Sequence, residues 1–399
     1  MKVCLINSFF EPFVMGGAEV YAQGLAEGLS KYHQVMFITT CPYSGWSSVT
    51  GRVEQKGSIK VIRFFPLNLY WVYYAQKQLW LRALWHAMQI WNPHTYWVIR
   101  GILKREKPDI VHSHTLRALS YSVVSAIDSL GIPHIHTLHD YELLSPWGNL
   151  LRRGKIMEKF GVLDLPYLVL MRHLTRNVKA VIGPSRFVLD WHLKYGFFRK
   201  ARKYAIPNGL NLPHAHNSSK DYEILNILFV GALSQHKGVH TLLDAFTSLN
   251  ESNVRLHVAG RGPLAQRVSH LASQDSRIEY HGHVPQGEPL WKLYSEANLL
   301  VLPSIWLEIL GLVAIEAFSF GTPVIGSAIG GIPEVVEDGY NGLLFKPGDV
   351  DDLSRTLKRV LSDIELLKRL GENARKSVQK YKLDTHIESI LKVYEEVLG

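Results

Sequence analysis

The 399-residue sequence has few cysteines and no hydrophobic run long enough to cross a membrane. Of its two cysteines, Cys4 lies in the apolar run 3–6, where a thiol acts as a small core residue. We therefore expect no disulfide framework and a reducing compartment. No eighteen consecutive residues are apolar, and Met1 and Lys2 lead directly into a predicted strand instead of a signal-peptide apolar region. These absences predict a cytoplasmic protein that does not span a membrane.

Several binding motifs are also missing. Gly16 and Gly17, which follow the first predicted strand, do not have the spacing of a dinucleotide fingerprint, so they do not indicate a redox cofactor. No helix-turn-helix, zinc-finger or RNA-recognition pattern is present, so nucleic acid is not expected as a partner. The formal net charge of +9 attracts phosphates in general and leaves anionic lipid and nucleotide diphosphates as candidate ligands.

Short apolar runs rich in β-branched residues alternate with helical patterns, which predicts parallel sheets with crossover helices. A chain of this length is too long for one ordinary core, so we expect two domains with a cleft between them. Predicted strands of the first half cover residues 2–7, 33–39, 59–63, 109–113, 133–138 and 180–184. Those of the second half cover residues 225–231, 254–260, 277–281, 298–302, 323–326 and 342–345.

A turn-rich stretch at 205–209 and the polar run 214–221 mark the domain boundary. We predict an N-terminal Rossmann-like domain over 1–207 and a C-terminal one over 208–383. The final helix, 384–399, should dock on the first domain through one apolar face. That face comprises Ile387, Ile390, Leu391, Tyr394 and Leu398. A buried helix should follow the first strand of the second domain, with apolar residues at helical spacing: Val239, Leu242, Leu243, Phe246 and Leu249.

The strongest chemical signal is a pair of glutamates, Glu308 and Glu316, on either side of Gly311. The pattern predicts a strand, a loop and a helix that begins near residue 310 and ends at Gly321. The free amides of Gly311 and Leu312 would then face the crevice beyond the strand ends and hold an anion such as a diphosphate.

The two carboxylates would stand roughly 10 Å apart along the helix axis. Carboxylates accept hydrogen bonds from hydroxyl groups, so this spacing suits a sugar and a ribose on either side of a diphosphate. From the spacing alone, it is equally consistent that one glutamate lies on a solvated helix face.

Other candidate residues also follow predicted strands. Lys237 lies in the loop that Gly231 opens, where a lysine can neutralise a departing diphosphate, although a solvated surface lysine is the ordinary alternative. Gly16 and Gly17 let the backbone approach a ligand or simply form a flexible turn. His139 ends the strand at 133–138, again at the crevice edge.

Four further histidines invite a zinc interpretation: His112, His114, His134 and His136. Alternate residues of a strand point to opposite faces, and no cysteine or clustered carboxylate joins these histidines. The sequence therefore predicts no metal site.

These residues, taken together, resemble the retaining nucleotide-sugar glycosyltransferases of family 4, which have the two-domain α/β GT-B fold. The resemblance spans nearly the whole chain and rests on the order and spacing of several short motifs. Besides Glu308 and Glu316, these are Gly16-Gly17-Ala18-Glu19, His139-Asp140, Pro207-Asn208-Gly209, Lys237-Gly238, Gly321-Thr322-Pro323-Val324, Gly330-Gly331-Ile332-Pro333-Glu334 and Asp338-Gly339-Tyr340-Asn341-Gly342.

The resemblance implies that Glu308 holds hydroxyls of the donor sugar, that Glu316 holds the ribose, and that the amides of Gly311 and Leu312 hold the diphosphate. It also implies that His139 hydrogen-bonds the transferred sugar. One departure concerns Ala232, because the family typically has an arginine there. Arg261, in the next strand-to-helix turn, is a candidate for the replacement charge, although that turn more often meets the nucleotide base.

No carboxylate is placed convincingly as a nucleophile, which favours same-face transfer with retention and without a metal ion. The expected reaction moves a hexose from GDP-mannose or a UDP-hexose to a glycan or lipid-linked acceptor, with the nucleotide sugar as co-substrate and no other cofactor. A catalytically weak sugar-nucleotide binder and an epimerase or phosphorylase on the same fold remain alternatives.

Two segments rich in aromatic and basic residues give an indication of the kind of acceptor. Residues 64–97 hold eleven aromatics, five of them tryptophans, and 191–203 add two phenylalanines and several lysines and arginines. Such residues suit a membrane headgroup boundary, which predicts peripheral contact with an anionic membrane surface, on its inner face. The alternative is that these aromatics pack in the core or at an oligomer interface.

Overall fold

The structure is a computed structural model that describes residues 1–71, 79–148, 150–152, 155–157, 159–212 and 220–399. The chain forms two compact units. The N-terminal unit comprises Met1–Leu150, Met157–Leu210 and Leu383–Gly399, and the C-terminal unit comprises Leu151–Ile156 and Asn211–Lys382.

The strands are, in chain order, β1 Lys2–Ile6, β2 Gln34–Thr40, β3 Arg52–Lys56, β4 Ile59–Phe64, β5 Ile110–Ser113, β6 His134–Thr137, β7 Leu151–Arg152, β8 Lys155–Ile156, β9 Ala180–Gly183, β10 Arg202–Ala205, β11 Leu225–Val230, β12 Val254–Ala259, β13 Ile278–Gly282, β14 Leu299–Leu302, β15 Val324–Ser327 and β16 Gly342–Phe345. The helices are α1 Gly17–Leu29, α2 Trp46–Thr50, α3 Leu79–Ile90, α4 Pro93–Glu106, α5 Ser122–Asp128, α6 Leu165–Leu174, α7 Arg186–Lys194, α8 Val239–Thr247, α9 Ala265–Gln274, α10 Glu288–Glu296, α11 Leu312–Ser319, α12 Ile332–Val335, α13 Val350–Leu361, α14 Ile364–Ser377 and α15 Leu383–Leu398. Among the described residues, no helix is long and apolar enough to cross a membrane.

The N-terminal unit is built on one sheet with the strand order β10-β9-β6-β5-β1-β2-β4-β3. Its strands are parallel except for the antiparallel pair β3 and β4. The order in which strands are added to the sheet reverses between β1 and β5, and open α/β sheets bind ligands in the crevice beyond the carboxyl ends of the strands at such a point. β5 and all of β1 after Lys2 are buried, as expected for parallel strands covered on both faces.

α15 packs on this same unit, as predicted. Ile387, Ile390 and Tyr394 share a core cluster with residues of β1 and α1. The Tyr394 hydroxyl also hydrogen-bonds Nδ1 of His112 at 2.8 Å. The predicted apolar face is wrong at Leu398, which is exposed at the last residue of the helix, whereas Val393 is buried.

The C-terminal unit has a six-stranded parallel sheet in the order β13-β12-β11-β14-β15-β16. The five apolar residues predicted for the first helix are all buried, four of them in α8 and Leu249 just after it. The order in which strands are added to the sheet reverses between β11 and β14, so a ligand crevice is expected where these two strands end. All twelve predicted strands are present in the two units, and the α/β class is confirmed.

The aromatic residues of the predicted membrane segments divide between core and surface. Trp71 and Trp85 are buried, whereas Trp80, Trp91 and Trp97 are exposed. Phe197 and Phe198 are also buried, so the second segment contributes its two phenylalanines to the core. Tyr73, Tyr74 and Lys77 lie outside the described residues.

The contact between Gly209 and α15 gives a test of the packing. A Cβ atom on residue 209 would lie 2.8 Å from Cγ of His386 and 3.1 Å from Cα of Leu383. We expect Gly209→Ala to lower the free energy of unfolding by about 1–3 kcal/mol, because the helix must shift to admit the methyl group. Urea denaturation of the full chain measures this loss.

Gly101 in the interior of α4 is the matched control, because a Cβ atom there meets nothing within 4 Å. Gly101→Ala should stabilise the chain by about 0.5–1 kcal/mol through helix propensity alone. Equal stability of Gly209→Ala and wild type would contradict the described packing of α15.

Candidate active site

The loop between β14 and α11 carries the glutamate-glycine pattern found in the sequence. Gly311 caps α11 with φ +92°, in the left-handed region that favours glycine. The helix begins at Leu312, two residues later than predicted. Its first amides have no partner within the helix, so they are available to a ligand in the loop that follows β14.

Glu308 lies in this loop and is paired with Lys237. Lys237 Nζ is 2.6 Å from Oε1 of Glu308, and the Ser304 hydroxyl donates to the same oxygen at 2.6 Å. The Glu308 residue is only 6% exposed. Burial raises the pKa of its carboxyl, but the charge and hydrogen bonds of Lys237 and Ser304 outweigh burial and hold that pKa below its usual value. The carboxyl is therefore ionised and ready to accept hydrogen bonds.

Gly330 and Gly331 pack against the backbone of Glu308. The Gly331 amide donates to the Glu308 carbonyl at 2.7 Å, and a Cβ on Gly330 would lie 2.5 Å from the Glu308 nitrogen. Lys237 Nζ also lies over the Trp306 ring, 5.4 Å from its centroid. The Glu308 backbone and the Lys237 ammonium are thus both held in place by the loops around them.

Glu316 projects from α11 into a second polar contact. Its Oε2 accepts from the Tyr294 hydroxyl at 2.6 Å, and its Oε1 accepts from the Gln286 amide at 3.1 Å. Burial raises the pKa of this carboxyl, although both hydrogen bonds act in the opposite direction. Neither glutamate is a solvated helix-face residue.

The loop with Gly231 and Ala232 lies beside the loop that carries Arg261. The Leu233 amide donates to the Arg261 carbonyl at 2.9 Å, and a Cβ atom on Gly260 would overlap the Gly231 carbonyl. The side chains of Ala232 and Arg261 are both exposed. The replacement of the missing cation by Arg261 therefore stays a hypothesis that this adjacency favours.

Gly16, Gly17 and His139 belong to the N-terminal unit. Gly16 caps α1, and its amide donates to Oε2 of Glu19 at 2.8 Å, so this amide already has an acceptor. His139 follows β6, where its Nε2 is 3.2 Å from Nδ1 of His114. Burial lowers the pKa of His139 to about 3, which leaves a neutral imidazole for hydrogen bonding.

Sequence reasoning named Asp140 but missed Arg117 and Glu142, which lie in the loops that follow β5 and β6. Glu142 is buried with Oε2 accepting from the Tyr121 hydroxyl at 3.2 Å, and Arg117 Nε lies 3.5 Å from its Oε1. Burial raises the pKa of Asp140 to about 6 and raises that of Glu142 as well. The available signal was their position, since polar residues that follow β5 and β6 reach the same sheet edge.

The other histidines of this region bond to protein groups. His112 contacts the Tyr394 and Thr137 hydroxyls, at 2.8 and 2.7 Å. Ser113 Oγ contacts both His134 and His136, at 2.7 and 2.8 Å. Their ring nitrogens thus form a hydrogen-bonded network within the sheet.

The Lys237–Glu308 pair predicts a pH-dependent stability. Lys237→Met leaves the buried carboxylate without its cation, which we expect to cost about 1–3 kcal/mol at pH 7, less than a fully buried pair because Lys237 is a quarter exposed. In wild type the pKa of Glu308 is lowered, so the pair's contribution is present above the unfolded pKa of about 4.3 and is lost as pH falls through the folded pKa. The difference between the two proteins should therefore vanish at acid pH.

Urea denaturation between pH 3 and 8 measures this difference. Glu308→Gln in the Lys237→Met background is the control and should recover part of the loss, since no buried charge remains. A Lys237→Met protein as stable as wild type at pH 7 would show that the pair is not formed.

Comparison with known proteins identifies the family. The model for glycosyltransferase family 4 matches residues 15–213, and the model for glycosyl transferases group 1 matches residues 214–377. An uncharacterised glycosyltransferase of Methanocaldococcus jannaschii is 30% identical over 311 residues, covering 76% of this chain and 80% of that protein.

Two solved structures with the GT-B fold are similar over the whole chain. Sucrose-phosphate synthase from Thermosynechococcus elongatus has a TM-score of 0.77 at 21% identity, covering 99% of this chain and 98% of that one. HepE from Anabaena, in complex with UDP and glucose, has a TM-score of 0.70 at 19% identity, covering 99% of each chain. The predicted GT-B fold is therefore confirmed, and the protein belongs to glycosyltransferase family 4, as an enzyme that transfers a sugar from a nucleotide sugar.

Proposed function

We propose that the protein is a retaining hexosyltransferase that uses GDP-mannose or a UDP-hexose and a glycan or lipid-linked acceptor, by same-face transfer without a metal ion. The observation that carries this proposal is the contact between Lys237 and Glu308 beside the amino end of α11. It unites a cation, an ionised hydrogen-bond acceptor and an anion-binding helix terminus in one crevice. HepE binds UDP and glucose, which makes a UDP-hexose the first donor to test.

In the proposed complex the donor diphosphate takes over part of the charge of Lys237 and lies against the amides of Gly311 and Leu312. Glu308, freed from part of its contact with Lys237, accepts hydrogen bonds from hydroxyls of the donor sugar. The ribose hydroxyls bind Glu316, which Tyr294 and Gln286 hold in position.

During transfer the bond between the anomeric carbon and the β-phosphate oxygen breaks, while the acceptor oxygen bonds to the same face of that carbon. The departing phosphate receives the acceptor proton, so no protein base is required. Lys237 and the helix amides stabilise the charge that develops on the leaving diphosphate. Because they supply this positive charge, the step has no need of a divalent cation.

His139 is proposed to hydrogen-bond the transferred sugar through its neutral imidazole. Gly17, at the start of α1, adds a backbone amide for the ligand, whereas the Gly16 amide would first have to leave Glu19. Ala232 favours the second candidate function, a catalytically weak sugar-nucleotide binder, because one cation of the family pattern is missing. Turnover separates the two functions.

We predict that Glu308→Gln lowers kcat about 100-fold or more, because a neutral amide replaces the ionised acceptor whose hydrogen bonds to the donor sugar strengthen in the transition state. Glu316→Gln and Arg261→Ala should instead weaken donor binding, with smaller effects on kcat. Titration calorimetry with UDP and GDP sugars, together with release of nucleoside diphosphate, measures both quantities.

Glu365→Gln is the matched control, because this glutamate is exposed on α14 and pairs only with Lys368 among the ion pairs of the described residues. It should behave as wild type. Wild-type turnover in Glu308→Gln would overturn the assignment, and donor binding without turnover in the wild type would favour the weak binder.

We also propose that the acceptor side contacts an anionic membrane through α6 and the turn before it. Val162 and Leu163 are 81% and 93% exposed, and Leu165, Val169 and Leu170 continue this apolar face. A surface cavity of about 490 Å³ beside α6 is lined by the basic residues Arg172, Lys194, Arg199 and Lys203. Apolar side chains with a basic border fit the boundary between lipid headgroups and acyl chains.

The membrane proposal predicts that the chain co-sediments with vesicles containing phosphatidylglycerol, and less so at high salt. The double substitution Val162→Asp and Leu163→Asp should reduce binding more than tenfold, since each buried apolar side chain contributes about 1.5–3 kcal/mol. Trp46→Asp is the control, because Trp46 is 80% exposed elsewhere in the same unit. Equal binding of the double variant and wild type would remove α6 as the contact.

A further inference from the structure

Two histidines and a glutamate meet on the sheet of the C-terminal unit, outside the set of donor residues. His257 lies on β12, and Glu279 and His281 lie on the neighbouring edge strand β13. His257 and Glu279 are register partners. Residues two apart on a strand share a face, so all three side chains project from the same side of the sheet.

The distances within the cluster are short. His257 Nδ1 lies 3.1 Å from His281 Nε2 and 3.4 Å from Glu279 Oε2. His281 Nδ1 lies 3.6 Å from Glu279 Oε1. One donor atom from each residue falls within 4.8 Å of the other two.

Asn226 fixes the orientation of the His257 ring. Its Oδ1 lies 3.1 Å from His257 Nε2, and its Nδ2 donates to the Glu296 carbonyl at 3.3 Å. Because the amide nitrogen is engaged with that carbonyl, the oxygen must face the ring, and Nε2 must carry the proton. The lone pair of Nδ1 therefore points into the cluster, as in metal sites where a ligating histidine donates its other N–H to an oxygen.

We propose that His257, Glu279 and His281 bind one divalent transition-metal ion, with zinc as the first candidate. Ligands of tetrahedral zinc at 2.0–2.1 Å are about 3.4 Å apart, which is close to the separations seen here. Two imidazoles and a carboxylate are ligands that zinc accepts, and the fourth position is left for water.

The cluster is accessible to such an ion. The Glu279 side chain is 61% exposed, which gives the ion a path from solvent.

The ion would link the edge strand β13 to β12. These two strands shift register between Val258 and Ala259, directly after His257. A link at this point would hold the edge strand against β12 without touching Lys237 or Glu308. The role is thus structural and independent of the proposed transfer.

The test uses the full chain without a histidine tag, stripped with EDTA and titrated with zinc against a chromophoric chelator. Wild type should bind one zinc per chain and gain thermal stability on binding. His257→Ala and His281→Ala should lose this site, and Glu279→Gln should weaken it at an exposed position that leaves the fold intact. His270→Ala, on the exposed face of α9, is the matched control and should bind as wild type.

Asn226→Leu keeps all three ligands and should weaken zinc binding about 10- to 100-fold, a change that three ordinary surface residues would not show. EDTA-treated wild type should retain sugar transfer, so loss of transfer and loss of zinc binding are separate outcomes. The inference is overturned if wild type binds no zinc, or binds it no more tightly than the His257, His281 and Glu279 variants.

Discussion

The ion pair between Lys237 and Glu308 joins the loops that follow β11 and β14, and the proposed donor site depends on it. A buried carboxylate is stable only with a nearby cation and further hydrogen bonds, and Lys237 and Ser304 supply them. The two residues are 71 positions apart and meet because β11 and β14 are neighbours in the sheet. Gly238 permits the close approach, since its φ is +70° and a side chain there would overlap the Pro303 carbonyl.

The ionisable groups in the loops that follow the strands have different pKa shifts in the two units. In the C-terminal unit, Lys237 keeps the pKa of Glu308 low, which suits a site for phosphate and hydroxyl groups. In the N-terminal unit, burial keeps His139 neutral and raises the pKa of Asp140 and Glu142, although Arg117 lies 3.5 Å from Glu142. The carboxyl groups that follow the strands of the two units thus have pKa values shifted in opposite directions.

The local sequence pattern was sufficient to predict most of the strands of the fold. Buried parallel strands such as β1 and β14 are continuous apolar runs, and their positions follow from that pattern alone. The strands β3 and β10 were missed because they lie at the two edges of the sheet and expose most of their side chains, so no apolar run marks them. Their pairing depends on tertiary neighbours that a local pattern does not contain.

The sequence predicted the individual residues of the candidate site, but not which of them contact one another. Lys237, Glu308 and Glu316 were each identified from spacing and resemblance, yet the pairing of Lys237 with Glu308 and of Glu316 with Tyr294 depends on strand order. The same holds for Arg117 with Glu142, and for His257 with His281, where residues 25 and 24 positions apart meet across neighbouring strands. Sequence spacing carries no signal for such pairs until the register is known.

The most direct measurement of the central claim is a crystal structure of the protein with a bound nucleoside diphosphate. The diphosphate should lie at the amides of Gly311 and Leu312, with Lys237 Nζ moved from Glu308 to a phosphate oxygen and the ribose on Glu316. A nucleotide bound elsewhere, with the Lys237–Glu308 contact unchanged, would contradict the claim.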